Sequence, residues 1–227
     1  MKSFRYFDPG RIRVVSFDLD DTIYDCRTVI NAAHEWFSEY LCNRYGLGSQ
    51  YCSYEFWARV KNQTLNDNPV LAMDVTRLRE ESLLKAFELL QSPLKGGIEE
   101  ARELVQIFIR KRSQGMVSPE ILSFLDRIKR KYPIVSVSNG NLDTSVIGLA
   151  PYFPVDLRPA IPNLRPKPAA DLFLRCAKLY GVAPDEILHV GDDPVTDVYG
   201  SVMAGCQCAW LYRGYAGLWF GAEKLKL

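Results

Sequence analysis

Long hydrophobic runs are missing from this sequence. No apolar stretch approaches the roughly 18 residues that a membrane-spanning helix needs. The first ten residues carry Lys2, Arg5, Asp8 and Pro9, with no apolar core of a secretory signal, so a cytoplasmic location is expected. Net charge is nearly absent too: 28 Lys and Arg against 27 Asp and Glu leave +1. That excludes a bulk basic field for nucleic acid or for an anionic membrane. Histidine is scarce, with only His34 and His189. The six cysteines, at 26, 42, 52, 176, 206 and 208, form no CxxC pair, and Cys206 and Cys208 are spaced poorly for zinc. Neither a zinc site nor a disulfide scaffold is expected, and the thiols read as buried and reduced. There is no G-x-x-x-x-G-K-S/T phosphate loop, no internal repeat and no low-complexity tract.

What remains is an ordinary globular mixture, 48% hydrophobic and 24% charged over 227 residues. A chain of that size buries roughly 70% of its unfolded surface, enough for a core without staples. Four short apolar runs read as strands: 13–17, 134–137, 187–190 and 209–211. They lack clean alternation, as strands of a parallel sheet covered on both faces do. Helical spacing precedes the last three, in Leu122-Leu125-Ile128, Leu172-Leu174-Ala177-Leu179 and Val195-Val198-Val202-Met203. The expected class is α/β, a Rossmann-like doubly wound parallel sheet. Residues 26–115 differ, with helical periodicity throughout and no convincing strand. They are too long for one crossover and read as an inserted all-helical domain. The expected division is a catalytic core of residues 1–24 and 116–227, with a cap of residues 25–115. Asp25 and residues 115–117 are candidate hinges.

The strongest chemical signal follows the first strand: Phe17-Asp18-Leu19-Asp20-Asp21-Thr22-Ile23-Tyr24. Asp18 and Asp20 are two apart, so in extended backbone they face the same way. Carboxylates held so close repel, and one pKa rises unless a cation intervenes. A second acidic cluster, Gly191-Asp192-Asp193-Pro194-Val195-Thr196-Asp197, follows the third strand run. If the two strands are neighbours, Asp18, Asp20, Asp192, Asp193 and Asp197 crowd one volume. Oxygen ligands alone suit a hard divalent cation, and Mg²⁺ suits a site that keeps waters and takes a phosphate oxygen. Asp193, followed by Pro194, equally reads as a helix cap. Ser138-Asn139-Gly140 ends the second strand run with groups that can hold an anion, and Lys167 stands between Pro166 and Pro168 on an extended path.

In the order Asp/Asp, Ser, Lys, Asp/Asp, these pieces resemble the haloacid dehalogenase-like hydrolase superfamily. The resemblance covers roughly residues 11–24 and 116–213, and the helical insert looks like that family's type-one cap. Residues 17–25, Met73-Asp74-Val75-Thr76-Arg77, Ser138-Asn139-Gly140-Asn141 and His189-Val190-Gly191-Asp192-Asp193 resemble more closely a bacterial cytoplasmic branch. That branch dephosphorylates flavin mononucleotide and the ribitylaminouracil phosphate of riboflavin synthesis.

The resemblance implies a Mg²⁺-dependent phosphatase of small-molecule phosphate monoesters. Asp18 is then the nucleophile and Asp20 the acid and base. The metal is held by Asp18, the Asp20 backbone carbonyl and Asp192. Ser138, the Asn139 backbone and Lys167 hold phosphoryl oxygens, with Thr22 grouped beside them and steadying the nucleophile's loop. Asp197 supports the metal's waters or Lys167 from behind, and Asp193 shares that position. Arg77 either reaches the substrate's polar tail or is a surface residue. Trp36, Phe37, Phe56 and Trp57 either stack on a ring or fill the helical core. A haloacid dehalogenase normally replaces the second acid, and a transport ATPase places Lys, Thr and Gly after its nucleophile, so Asp20 favours phosphatase. A phosphomutase, and activity on sugar phosphates or phosphoglycolate, stay open, as does a non-enzymatic partner protein. A flavin- or nucleotide-binding module is disfavoured by the acids that stand where its glycines belong. The partner is a small molecule, with no nucleic acid and no membrane, and the protein is a monomer or homodimer.

Overall fold

A computed structural model of the chain describes residues 8–160, 162–211, 218–220 and 223–225. Its sheet has the order β3-β2-β1-β4-β5-β6-β7. Strands β1 (Val14–Phe17), β2 (Ile134–Val137), β3 (Asp156–Leu157), β4 (Ile187–Gly191) and β5 (Gln207–Leu211) are mutually parallel. Strands β6 (Leu218–Phe220) and β7 (Glu223–Leu225) add antiparallel at one edge. The β1 and β2 sequences, VVSF and IVSV, are buried at every position, as the lack of alternation requires. Strand β3 was not expected from the sequence. Two residues are too few to leave a hydrophobic pattern.

The chain divides into two compact units. The sheet unit holds residues 1–25, 116–140 and 147–227, and the helical unit holds residues 26–115 and 141–146. Asp25 therefore clusters with the sheet, and six residues after β2 cluster with the helices. The reason is local. Asn141 Oδ1 accepts from Arg112 Nη1 at 3.1 Å, Asn141 Nδ2 donates to Thr76 Oγ1 at 3.2 Å, and Asp143 N donates to Ser113 Oγ at 2.8 Å.

In the sheet unit, α5 (Pro119–Lys129) starts with Ser118 as its cap and Pro119 at the first helical position. Helix α6 (Asp171–Tyr180) ends at Gly181, whose φ of +63° suits glycine. Val14, Val135, Val137, Leu172, Phe173 and Ile187 share one core cluster. The expected helix over 195–203 is a π-helical turn, Pro194–Tyr199, running into the short α7 (Gly200–Met203).

The helical unit consists of α1 (Cys26–Tyr45), α2 (Tyr54–Asp67), α3 (Val75–Leu89) and α4 (Gly97–Arg112). Phe37, Leu41, Leu83, Phe87, Leu104 and Phe108 form its core. Phe37 and Phe56 are buried, and Trp36 and Trp57 pack partly buried against the core clusters, so these aromatics are core-forming. The expectation of reduced thiols fails at one pair. Cys42 and Cys52 form a disulfide, because the turn after α1 returns the chain to a Cα–Cα separation of 5.4 Å. Among the described residues the other four cysteines form no disulfide. No helix among the described residues is long and apolar enough to cross a membrane.

Candidate active site

The sheet order creates the site. Strand β1 lies between β2 and β4, so the strand order reverses beside it, and ligands of open α/β sheets sit at the carboxyl ends there. Phe17 pairs with Val190, and Asp18 N donates to Val190 O at 2.9 Å. Two apolar strands thus deliver Asp18 and Asp192 to the same edge. A cleft of about 300 Å³ there is lined by Asp18, Asp20, Ser138, Asn139, Lys167 and Asp192, together with Asp21, Gly140, Asp193, Thr196 and Asp197. Asp21 has a φ of +59°, a left-handed conformation that Asp tolerates better than most residues, and it turns the chain directly after Asp20.

Lys167 is 3% exposed, and Nζ lies 2.8 Å from Asp18 Oδ1 and 2.6 Å from Asp197 Oδ1. Its backbone is clamped by one side chain. Asn139 Nδ2 donates to Lys167 O and Lys167 N donates to Asn139 Oδ1, each at 2.8 Å. The Asn139 amide is therefore occupied, leaving its backbone N–H as the group for an anion. Ser138 is buried, and its Oγ accepts from Gly140 N at 3.2 Å. Gly140 allows a close approach, since a Cβ there would stand 2.3 Å from Asp20 Oδ2. Asp20 Oδ1 accepts from the Tyr24 hydroxyl.

Thr22 stands between two carboxylates. Its buried Oγ1 stands 3.5 Å from Asp18 Oδ2 and 3.2 Å from Asp192 Oδ1. It therefore steadies the two carboxylates. One hydroxyl proton serves one carboxylate at a time, so the pair keeps a charge excess. Single carboxylate oxygens of Asp18, Asp192 and Asp197 lie within 4.8 Å of one another. Asp197 is already engaged, however. Its Oδ1 takes Lys167 and His189, and its Oδ2 accepts from Asp193 N at 3.0 Å. Asp18 and Asp192 both line the cleft, and an all-oxygen pair with excess negative charge fits Mg²⁺.

Asp193 takes the helix-cap position. It is exposed, and its Oδ1 caps the π-helical turn, accepting from Val195 N at 2.9 Å and Thr196 N at 2.7 Å. Arg77 lies on the surface, 3.8 Å from Glu81, in the first turn of α3, where Asp74 is the cap.

Electrostatics follow from burial. Burial pushes the Asp18 carboxyl up to about 7; Lys167 pulls the other way, while Asp197 and Asp20 add repulsion. Burial also works against ionised Asp197, but the hydrogen bond from His189 and the Lys167 charge hold it below the usual carboxylate range. His189 is a buried neighbour of the site that the sequence did not single out. It is fully buried on β4, and burial lowers its pKa and keeps it neutral. Nε2 stands 3.2 Å from Asp197 Oδ1 and Nδ1 stands 2.9 Å from Ser16 Oγ. An ionised carboxylate only accepts, so Nε2–H donates to Asp197 and Nδ1 accepts from Ser16. A lone His inside an apolar run reads as core, and its chemistry shows only once Asp197 is placed beside it.

A buried lysine shared by two aspartates at the switch point of a doubly wound sheet defines a class: an α/β protein with carboxylates and a cation facing one ligand cleft at the sheet's carboxyl edge. Residues 12–205 match the family model described as haloacid dehalogenase-like hydrolase. The chain belongs to that family. It is similar to the 5-amino-6-(5-phospho-D-ribitylamino)uracil phosphatase YigB of Escherichia coli (strain K12), at 33% identity over 91% of this chain and 87% of the relative. It is also similar to a phosphoserine phosphatase of Thermus thermophilus, at 32% identity over 70% of this chain and 63% of that one. Among solved structures, a 2-haloacid dehalogenase from Pseudomonas syringae pv. Tomato DC3000 superposes with a TM-score of 0.79 and 26% identity, covering 93% of this chain and 90% of that one.

Proposed function

We propose that this chain is a cytoplasmic Mg²⁺-dependent phosphatase. It hydrolyses small-molecule phosphate monoesters through an aspartyl-phosphate on Asp18. Its substrate is flavin mononucleotide or 5-amino-6-(5-phospho-D-ribitylamino)uracil. The observation that carries the reaction class is the second carboxylate, Asp20, lining the same cleft as Asp18 and Lys167. A dehalogenase has no leaving-group oxygen to protonate, whereas ester hydrolysis needs an acid there. The chemistry of the structurally similar dehalogenase therefore does not transfer, despite the shared fold. The substrate rests on the similarity to the Escherichia coli enzyme and on the motif likeness around Asp74, Ser138 and Asp192.

In the first step an Asp18 carboxylate oxygen bonds to phosphorus and the ester P–O bond breaks. Asp20 gives its proton to the departing alkoxide. Lys167, the Ser138 hydroxyl and the Asn139 N–H hold the phosphoryl oxygens, where charge spreads in the transition state. In the second step Asp20, now a carboxylate, takes a proton from water as the water oxygen bonds to phosphorus. The P–O bond to Asp18 breaks and the carboxylate is restored. Asp18, the Asp20 carbonyl and Asp192 would hold Mg²⁺, which would supply charge neutralisation between the anionic nucleophile and the anionic ester.

The test is phosphate release with and without Mg²⁺ from a panel of flavin mononucleotide, the ribitylaminouracil phosphate, phosphoserine, phosphoglycolate and sugar phosphates. Mg²⁺-dependent release led by a flavin-pathway compound is expected. Release led by another ester discards the substrate and keeps the chemistry. No release from any ester overturns both.

A further inference from the structure

The helical unit holds a cation that its own packing leaves without an acid. The guanidinium of Arg79, on α3, stands 3.6 Å above the ring centre of Phe108 on α4. Its Nε is shut from solvent and has no hydrogen-bond partner. Nη2 lies 3.2 Å from His34 Nε2 on α1. The neighbouring acids on α3 face elsewhere: Glu81 stands 3.8 Å from Arg77 and Glu80 stands 3.9 Å from Arg102. Lys61 on α2 lines the same pocket, and among the described residues neither Lys61 nor Arg79 forms an ion pair. His34 registers the resulting field. Burial first, then the charges of Arg79, Lys61 and Arg112, push its imidazole down to about 3. A ring over the guanidinium and one bond to a neutral imidazole offset only part of the cost of desolvating a charge.

The shape of the pocket narrows what could answer that charge. Its volume is about 30 Å³. A single water needs about 10–15 Å³, so the pocket takes the polar end of a small anion. One wall is the stacked pair His34 and Tyr54, with ring centres 4.2 Å apart, and Trp57 adds apolar surface. Two oxygens against a guanidinium edge, with an apolar wall for a short stem, match a carboxylate.

We infer that this pocket binds the carboxylate of a small molecule, with Arg79 donating to its oxygens and Lys61 completing the charge balance. All the lining residues belong to the helical unit, so the site stands or falls independently of the phosphatase chemistry. The test is a titration of the full-length protein with sodium formate and sodium acetate at constant ionic strength. The readout is the Nε–H NMR signal of Arg79, with chloride and inorganic phosphate as parallel arms. A saturable shift with formate or acetate is expected, with no such shift from chloride or phosphate. Lys61→Gln, at a partly exposed position, weakens it about tenfold, the loss of one charge-assisted contact. Arg79→Met abolishes formate binding, followed through the Trp57 side-chain signals. No saturable shift in the unmodified protein, an equal response to chloride, or a response to phosphate alone overturns the proposal.

Discussion

Lys167 Nζ stands 2.8 Å from Asp18 Oδ1, and both side chains are buried. An ammonium at that distance orients the carboxylate and lies ready for an oxygen of any group bonded to it. Lys167→Met removes a preorganised donor in a dry site, which costs about 10²–10³ in turnover. Steady-state hydrolysis by a folded variant checks this. A loss of less than tenfold contradicts a role at the phosphoryl oxygens.

Asp20 separates leaving groups. An alkoxide needs a proton as it departs and a nitrophenolate does not. Asp20→Asn is therefore expected to lose about 10²–10⁴ in turnover with an alkyl phosphate, and far less with p-nitrophenyl phosphate. Equal losses with both esters would place Asp20 in a role other than acid.

His189 acts through Asp197 and Lys167, with no contact to the cleft required. His189→Leu leaves Asp197 short of one donor and loosens its hold on Lys167. Partners behind a reactive group typically contribute about 10–100-fold. The loss is expected in kcat, with KM little changed and p-nitrophenyl and alkyl esters affected alike. A variant at full kcat, or one failing only in KM, removes His189 from this chain of contacts.

The parts of the site that break composition were legible in the sequence. Carboxylates directly after apolar strands at Asp18 and Asp192, and a lysine between prolines at 167, are hard to read as ordinary loop residues. In the fold they line one cleft. What the sequence hid was set by distance. Asn139 reads as a turn residue, and only the fold shows its amide spent on the Lys167 backbone. Thr22 sits beside the nucleophile in sequence but faces Asp192, which is 170 positions away. Cys42 and Cys52 carry no spacing signature, and β3 is too short to leave one. The helical unit's inclusion of residues 141–146 rests on side-chain bonds that no periodicity reports.

His34 makes stability depend on pH. Its pKa falls from about 6.5 when unfolded to about 3 when folded, because of burial and then Arg79, Lys61 and Arg112. Between those values the unfolded chain binds the extra proton. The contribution is therefore complete above about pH 6.5 and is lost as pH falls toward 3. His34→Phe, which keeps the stack on Tyr54 and Phe108, should flatten that part of the stability curve. Urea unfolding from pH 7 to 4 checks it, and parallel curves for the two proteins contradict it.

The nucleophile is the central claim, and an acid-quenched reaction tests it most directly. During turnover of a phosphate ester with Mg²⁺, the peptide that contains Asp18 is examined by mass spectrometry for a phosphoryl group. The expected result is phosphorylation at Asp18 in the unmodified enzyme, with none in Asp18→Asn and no phosphate release by that folded variant. Turnover without phosphorylated Asp18, together with Asp18→Asn activity within tenfold of the unmodified enzyme, would contradict covalent catalysis at this residue.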